Sequence, residues 1–278
     1  MSAAEVPEGP GGLKRRLGVF DAVVIGLGSM LGAGIFAALG PAADAAGSGL
    51  LFGLAVAAIV AYCNATSSAR LAARYPASGG TYVYGRERLG DFWGYLAGWG
   101  FVVGKTASCA AMALTVGSYL WPGQAHAVAV ASVVALTAVN YAGVRKSAWL
   151  TRVIVAIVLA VLAAVVVTSL TGGTAQAARL DPGAGAGADA TVGGVLQAAG
   201  LLFFAFAGYA RIATLAEEVR DPRHTIPRAI TVSLLVVVVV YAVVGATVLV
   251  VLGADRVAAS AAPLATAVES TGWDWASP

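Results

Sequence analysis

Residues 26–36 read Gly26-Leu27-Gly28-Ser29-Met30-Leu31-Gly32-Ala33-Gly34-Ile35-Phe36, four glycines in eleven positions, inside an apolar run over residues 19–40. Such a run predicts a helix, yet each glycine in a helix interior costs about 0.5–1 kcal/mol relative to alanine. Three readings compete. Gly28 and Gly32 form a G-x-x-x-G pair that lets two helices pack closely. A dinucleotide fingerprint is the second, but the third glycine falls one position late and no βαβ pattern surrounds it. The third is a helix broken within a membrane, its freed amides and carbonyls lining a binding site. Spacing alone leaves packing and unwinding open.

The rest of the chain narrows the choice. Its 278 residues are 59% hydrophobic and 11% charged, whereas a soluble domain carries about 25% charged residues. Residues 153–170 and 229–252 hold no charge at all, which meets the requirement of about 18 apolar residues for a membrane span. Seven spans are predicted, over residues 19–40, 49–69, 92–121, 125–144, 150–170, 192–216 and 229–252.

The connections alternate in charge. Lys14, Arg15, Arg16, Arg70, Arg74, Arg86, Arg88, Arg145, Lys146, Arg152, Arg220, Arg223 and Arg228 fall on one side, and Arg179 and Arg256 on the other. Basic residues mark the cytoplasmic face. Residues 1–17 are therefore expected to be a cytoplasmic tail, 18–253 a multi-pass domain in the cytoplasmic membrane, and 254–278 an outer loop. The DPGAGAGAD tract, residues 181–189, reads as part of another outer loop. The net charge of +3 follows from this asymmetry and implies no nucleic-acid partner; the bilayer is the partner that composition implies. Asp21 within the first run, and six further spans, favour an uncleaved first helix over a signal peptide.

Enzymatic chemistry has little to stand on. Cys63 and Cys109 lie inside predicted spans and read as small apolar residues. His126 and His224 fall on opposite sides of the membrane, so no cluster of His, Cys or carboxylates faces a common point. No catalytic residue, metal or cofactor is expected. A seven-span receptor is the rival from another class, but it would place its N-terminus outside, against the basic residues. A channel would need a filter of carbonyls or charges, and none is visible.

The sixth span carries a second interruption, Phe203-Phe204-Ala205-Phe206-Ala207-Gly208-Tyr209. Breaks in the first and sixth spans, in corresponding positions of two five-helix halves, are the mark of an inverted-repeat transporter with its site at the bilayer midplane. No letter-by-letter repeat supports this; position does.

Four pieces together resemble the amino acid–polyamine–organocation permeases. They are Gly28-Ser-Met-Leu-Gly-Ala-Gly-Ile-Phe36, Pro76-Ala-Ser-Gly-Gly-Thr-Tyr-Val-Tyr84, Phe203-Phe-Ala-Phe-Ala-Gly208, and Glu217-Glu-Val-Arg-Asp-Pro222 followed by Ile226-Pro-Arg228. The resemblance runs from Gly18 onward. It implies an all-α integral membrane fold, a five-plus-five, LeuT-like core in which helices 1 and 6 are discontinuous. Ten spans are implied and seven are present, so the chain reads as truncated after the seventh. The implied function is secondary active transport of amino acids, proton-coupled, with exchange without protons as the alternative. Which amino acid is carried, and in what oligomeric state, is not set by the sequence.

An amino acid presents a carboxylate and an ammonium at a fixed separation. The amides of Gly32, Ala33 and Gly34 begin the second half of the first helix, where the dipole is positive and small residues let an anion approach. The resemblance assigns the ammonium to the carbonyls of Met30, Phe204 and Ala207. Phe206 and Tyr209 are aromatic walls or gates, with ordinary core packing as the alternative.

Lys105 lies near the middle of the third span, where a charge costs about 2.5–3.5 kcal/mol and should face the bundle interior or a water-filled cavity. Some proton-coupled relatives carry a lysine in the fifth helix; the matching position here is Val158. Lys105 is the expected substitute, because burial would make its charge costly enough to be lost during a cycle. The alternative is a lysine held by backbone carbonyls or helping to recognise substrate. Arg211 stands where several relatives carry an acidic residue, which argues against a strongly cationic substrate. It is expected either there or snorkelling toward Glu218. Glu217 and Glu218, with Arg220, Asp221 and Arg223, are expected to form a charge network at a cytoplasmic gate.

Overall fold

The computed structural model describes residues 17–75, 79–141, 148–173, 175–180, 191–215 and 218–272. Secondary structure among them is helical apart from one parallel bridge between Leu17 and Val219. Seven described segments are long and apolar enough to cross a membrane, and the fold is that of an all-helical integral membrane protein. The DPGAGAGAD tract lies outside the described residues.

The first span is not one helix. α1 (Val19–Met30) stops, and α2 (Ala33–Ala37) passes through Ala38 in helical geometry into α3 (Leu39–Ala46). Gly47, at φ 56°, ends the run in a conformation that favours glycine. α4 (Leu50–Arg74) is the second span, α5 (Thr81–Leu89) lies between spans, and α6 (Asp91–Leu120), α7 (Ala125–Tyr141) and α8 (Ala148–Thr171) are spans three to five. The sixth comprises α9 (Val192–Phe206), a 3-10 turn over Ala207–Tyr209, and α10 (Ala210–Ala213). α11 (Pro222–Leu252) is the seventh. It begins a turn or two ahead of its apolar stretch, with Pro222 at the first position, where a missing N–H costs nothing. Residues beyond it fold into α12 (Ala254–Ala259) and α13 (Pro263–Glu269), which pack on α3 and on α11.

Two populations of span follow from burial. The first, second and seventh are each 50% buried and the sixth 39%, against 11%, 6% and 17% for spans three to five. The inner four pack through small side chains. Ala57, Ala61, Ala65 and Ala69 repeat every four residues along α4, so they share a face, and all are buried. Gly53 belongs to the same face: a Cβ there would lie 2.9 Å from the Ala198 Cβ of α9. Lipid offers no hydrophobic gain for helix association, so close backbone approach through Ala and Gly supplies the dispersion contacts. The outer spans keep apolar faces uncovered, Leu136 and Ile157 among them, which hydrocarbon accepts without penalty.

The end of the bundle that holds the start of α1 is stitched by polar contacts. Leu17 N–H donates to the Glu218 carbonyl at 3.1 Å, and Arg220 N–H donates to that of Leu17 at 2.9 Å. Arg152 of α8 pairs with Asp21 of α1. Asp21 also lies in the first turn of α1 and accepts from the Gly18 N–H at 3.4 Å, placing its charge at the positive end of the helix dipole. At the far end, Arg179 donates to the carbonyls of Val250 and Val251, and the Gln176 N–H reaches Val250 at 3.0 Å. These bonds satisfy carbonyls that the last turn of α11 cannot pair internally.

Candidate functional site

The first break is two residues long. Leu31, at φ −73° and ψ 70°, forms an inverse γ-turn closed by the Gly32 N–H on the Met30 carbonyl at 2.8 Å. α2 then starts at Ala33. Its first amides, those of Ala33 and Gly34, have no carbonyl one turn earlier to receive them.

The interruption expected in the sixth span takes the form of a 3-10 turn. Span six tightens: the Ala207 N–H bonds to the Phe204 carbonyl, and the Ala210 N–H to those of Ala207 and Gly208. The Phe204 and Ala207 carbonyls are therefore engaged within their own helix. An orphaned carbonyl costs several kcal/mol in a membrane, and a 3-10 turn pairs these groups while changing the helix pitch.

The two breaks touch. A Cβ on Gly208 would lie 2.2 Å from the Ser29 oxygen and 2.7 Å from the Met30 nitrogen. One on Gly34 would lie 2.4 Å from both Cα and Cβ of Ala205. Gly26 meets a side chain instead, with the Ile212 Cδ1 at 2.4 Å. Packing thus belongs to Gly26, Gly28, Gly34 and Gly208, and Gly32 stands apart from it. Gly28 faces Val155 of α8 at 3.0 Å, and nothing lies within 4 Å of a Cβ on Gly32. The opening glycines divide between the two readings: some let backbones meet, and Gly32 borders open space.

Tyr241 of α11, which the sequence reading missed, joins the breaks. Its hydroxyl donates to the Met30 carbonyl and lies 3.0 Å from that of Ala205, one proton shared between the two helices. Met30 and Tyr241 are both 1% exposed, and the Tyr241 ring rests on that of Phe206 at 5.2 Å between centroids. A signal was present: Tyr241 interrupts Val236–Val240 and Ala242–Val244, and a tyrosine buried among aliphatic residues needs a partner for its hydroxyl. Phe206 and Tyr209 are buried and pack in the core, while Phe204 is half-exposed. A second long-range tie holds α2, where the Tyr119 hydroxyl donates to the Phe36 carbonyl at 2.8 Å.

The expected cations fall elsewhere. Lys105 does not face the bundle interior. Residues 101–107 are exposed all round α6, which buries only Gly94, Ala113 and Gly117 near its ends. The Lys105 ammonium lies 5.7 Å from the Phe101 ring centroid, and Thr106 bonds back to Val102 of its own helix. Val158 packs against the core. Arg211 is exposed and donates to the Thr214 hydroxyl at 3.4 Å instead of reaching Glu218. Glu217 lies outside the described residues. Among the described residues, the side-chain contact of this loop joins the His224 ring to Asp221 at 2.8 Å, and no ion pair there involves Arg220 or Arg223. Glu218 contributes its backbone carbonyl.

Near this loop, Tyr84 of α5 is buried with its hydroxyl unpartnered. It lines a cavity of about 20 Å³ with Ser68, Thr81, Phe101 and Thr214. Burial pushes the Tyr84 phenol up to about 12.

A model of the amino acid permease family matches residues 21–278. The chain is 74% identical over 269 residues to an uncharacterized transporter of Mycobacterium tuberculosis, covering 97% of this chain and 60% of that one. A branched-chain amino acid permease of Bacillus subtilis is 28% identical over 287 residues, covering 95% of this chain and 60% of the relative. A chloroplastic cationic amino acid transporter of Arabidopsis thaliana shares 28% over 287 residues, covering 95% and 49% respectively. The chain thus spans 60% of the length of the first two relatives.

Proposed function

The chain belongs to the amino acid permease family, and from that premise we propose that it carries the substrate site of a secondary active transporter that moves amino acids across the cytoplasmic membrane. The observation that carries this reading is the meeting of two interrupted spans, with Gly34 on Ala205 and Gly208 on Ser29. In hydrocarbon a broken helix survives only where its polar backbone is buried in protein or lines a cavity. Here the open side of the first break, at Gly32, adjoins the free amides of Ala33 and Gly34. These amides take the substrate carboxylate, and the Met30 carbonyl takes the ammonium. Phe204 and Ala207 contribute acceptors only through their second lone pairs, because their own helix uses the first.

The charge pattern supports an orientation with the start of α1 in the cytoplasm. Leu17, Asp21, Arg152 and Arg220 gather at that end of the bundle. Arg211, one turn past the second break, favours neutral over cationic substrates. Proton coupling stays in this reading without Lys105, which is exposed on α6 and lacks the burial that would make its charge costly.

The test is uptake by the full-length protein in liposomes, with radiolabelled leucine and arginine and competition by each standard amino acid. Saturable leucine uptake that arginine fails to inhibit is expected. Absence of saturable uptake of any amino acid overturns the transport reading. Preference for arginine overturns the role given to Arg211.

A further inference from the structure

We propose that the Tyr241 hydroxyl is an internal stand-in for the ligand's ammonium, holding the Met30 carbonyl while the site is empty and yielding it when a ligand binds. The inference rests on the transport reading above. A carbonyl oxygen has two lone pairs. At Met30 the Gly32 amide takes one at 2.8 Å, and Tyr241 takes the other. The acceptor is full before any ligand arrives.

An ammonium can bind there only if one present donor leaves. The Gly32 amide belongs to a closed three-residue turn, so breaking it means remaking the backbone of the first break. Tyr241 needs no such change. Its single proton already serves two acceptors, and the Ala205 carbonyl is 3.0 Å away. When ammonium reaches Met30, the proton turns wholly to Ala205. Every buried polar group keeps a partner, which a membrane interior demands.

The exchange has a mechanical consequence. In the empty form the hydroxyl ties α1 to α9 across the line where Gly208 meets Ser29 and Gly34 meets Ala205. Once the proton belongs to Ala205 alone, the first half of span one is released from span six. Occupancy of the site and freedom of the half-helix become one event, and a ligand that prefers the untied form shifts the population toward it. Tyr241 is thus a positioning residue whose donor strength sets how tightly ligand binds.

The experiment measures equilibrium binding of radiolabelled leucine to the purified full-length protein, with exchange measured in liposomes. Tyr241→Phe removes the competing donor, so leucine should bind about two- to ten-fold more tightly, the range of one net hydrogen bond. Exchange should not rise in step, because the tie that occupancy releases is already gone. Replacing Tyr241 with difluorotyrosine keeps the ring and core packing but strengthens the donor, and should weaken binding. A purely structural Tyr241 predicts weaker binding in Tyr241→Phe and no change with the fluorinated residue. Either of those results overturns the proposal while wild-type binding stands. If the wild type binds neither leucine nor arginine, the transport reading falls and takes this proposal with it.

Discussion

Gly34→Ala tests whether the two breaks are held in direct backbone contact. The added Cβ would lie 2.4 Å from both Cα and Cβ of Ala205. Carbon atoms attract best at about 3.5–4.0 Å, so α2 and α9 would have to separate by about 1 Å. One of the opposing atoms is backbone and the other is fixed to it, so no rotamer change relieves the clash. Overpacking of this kind costs about 1–3 kcal/mol. Separation also stretches the Tyr241 bridge, whose loss adds about 1 kcal/mol. The sum is about 2–4 kcal/mol, a large share of a marginal stability. Gly32→Ala supplies the contrast within the same motif. Nothing lies within 4 Å of its Cβ, and its φ of −138° suits any residue. Its effect should stay within about 0.5 kcal/mol. The assay is thermal unfolding of the detergent-solubilised full-length protein, the three forms side by side. Wild-type stability in Gly34→Ala, or equal damage in Gly32→Ala, would refute the assignment of packing to Gly34 and open space to Gly32.

Three further outcomes are expected. Gly32→Leu should unfold near the wild-type temperature yet lose leucine binding, because its side chain fills the space beside the Ala33 and Gly34 amides; retained binding would place the ligand elsewhere. Lys105→Ala and Lys105→Arg should both keep accumulation driven by an imposed pH gradient, since the exposed Lys105 has no burial to make its charge costly; loss of that accumulation in both variants, with exchange left in place, would return the coupling role to Lys105. The folded protein holds the Tyr84 proton more tightly than the unfolded chain does, so the stability from this residue is complete below about pH 10. It should be lost as pH rises toward about 12. Unfolding temperature measured against pH should show this slope in the wild type and a shallower one in Tyr84→Phe.

Much of the architecture is legible from composition and order. Uncharged runs such as 229–252 can only be membrane helices, and glycines amid apolar residues at 26–34 and 208 mark where two of those helices break. The permease resemblance rests on motifs read in order along the chain. These are one-dimensional features, because a bilayer imposes length and polarity on each segment separately, before any two segments meet.

The partners of each break are set only in three dimensions. Sequence spacing offered Gly28 and Gly32 as a packing pair, but a glycine packs against whatever backbone crosses it, and Ala205 and Ser29 are more than 170 residues away. The carbonyls of Phe204 and Ala207 were expected to be free, yet local geometry closes them in a 3-10 turn. Lys105 was expected in the interior because buried charge is costly, but that cost constrains where a lysine should point, not which helix faces are covered. Tyr241 reached the site from the seventh span, where the sequence shows a tyrosine among valines and nothing of what its hydroxyl meets. Hydrophobicity is a property of each residue and survives in the bare sequence. A hydrogen bond from Tyr241 to Met30, or a glycine's fit against Ala205, belongs to a pair, and the pair exists only once the chain has folded.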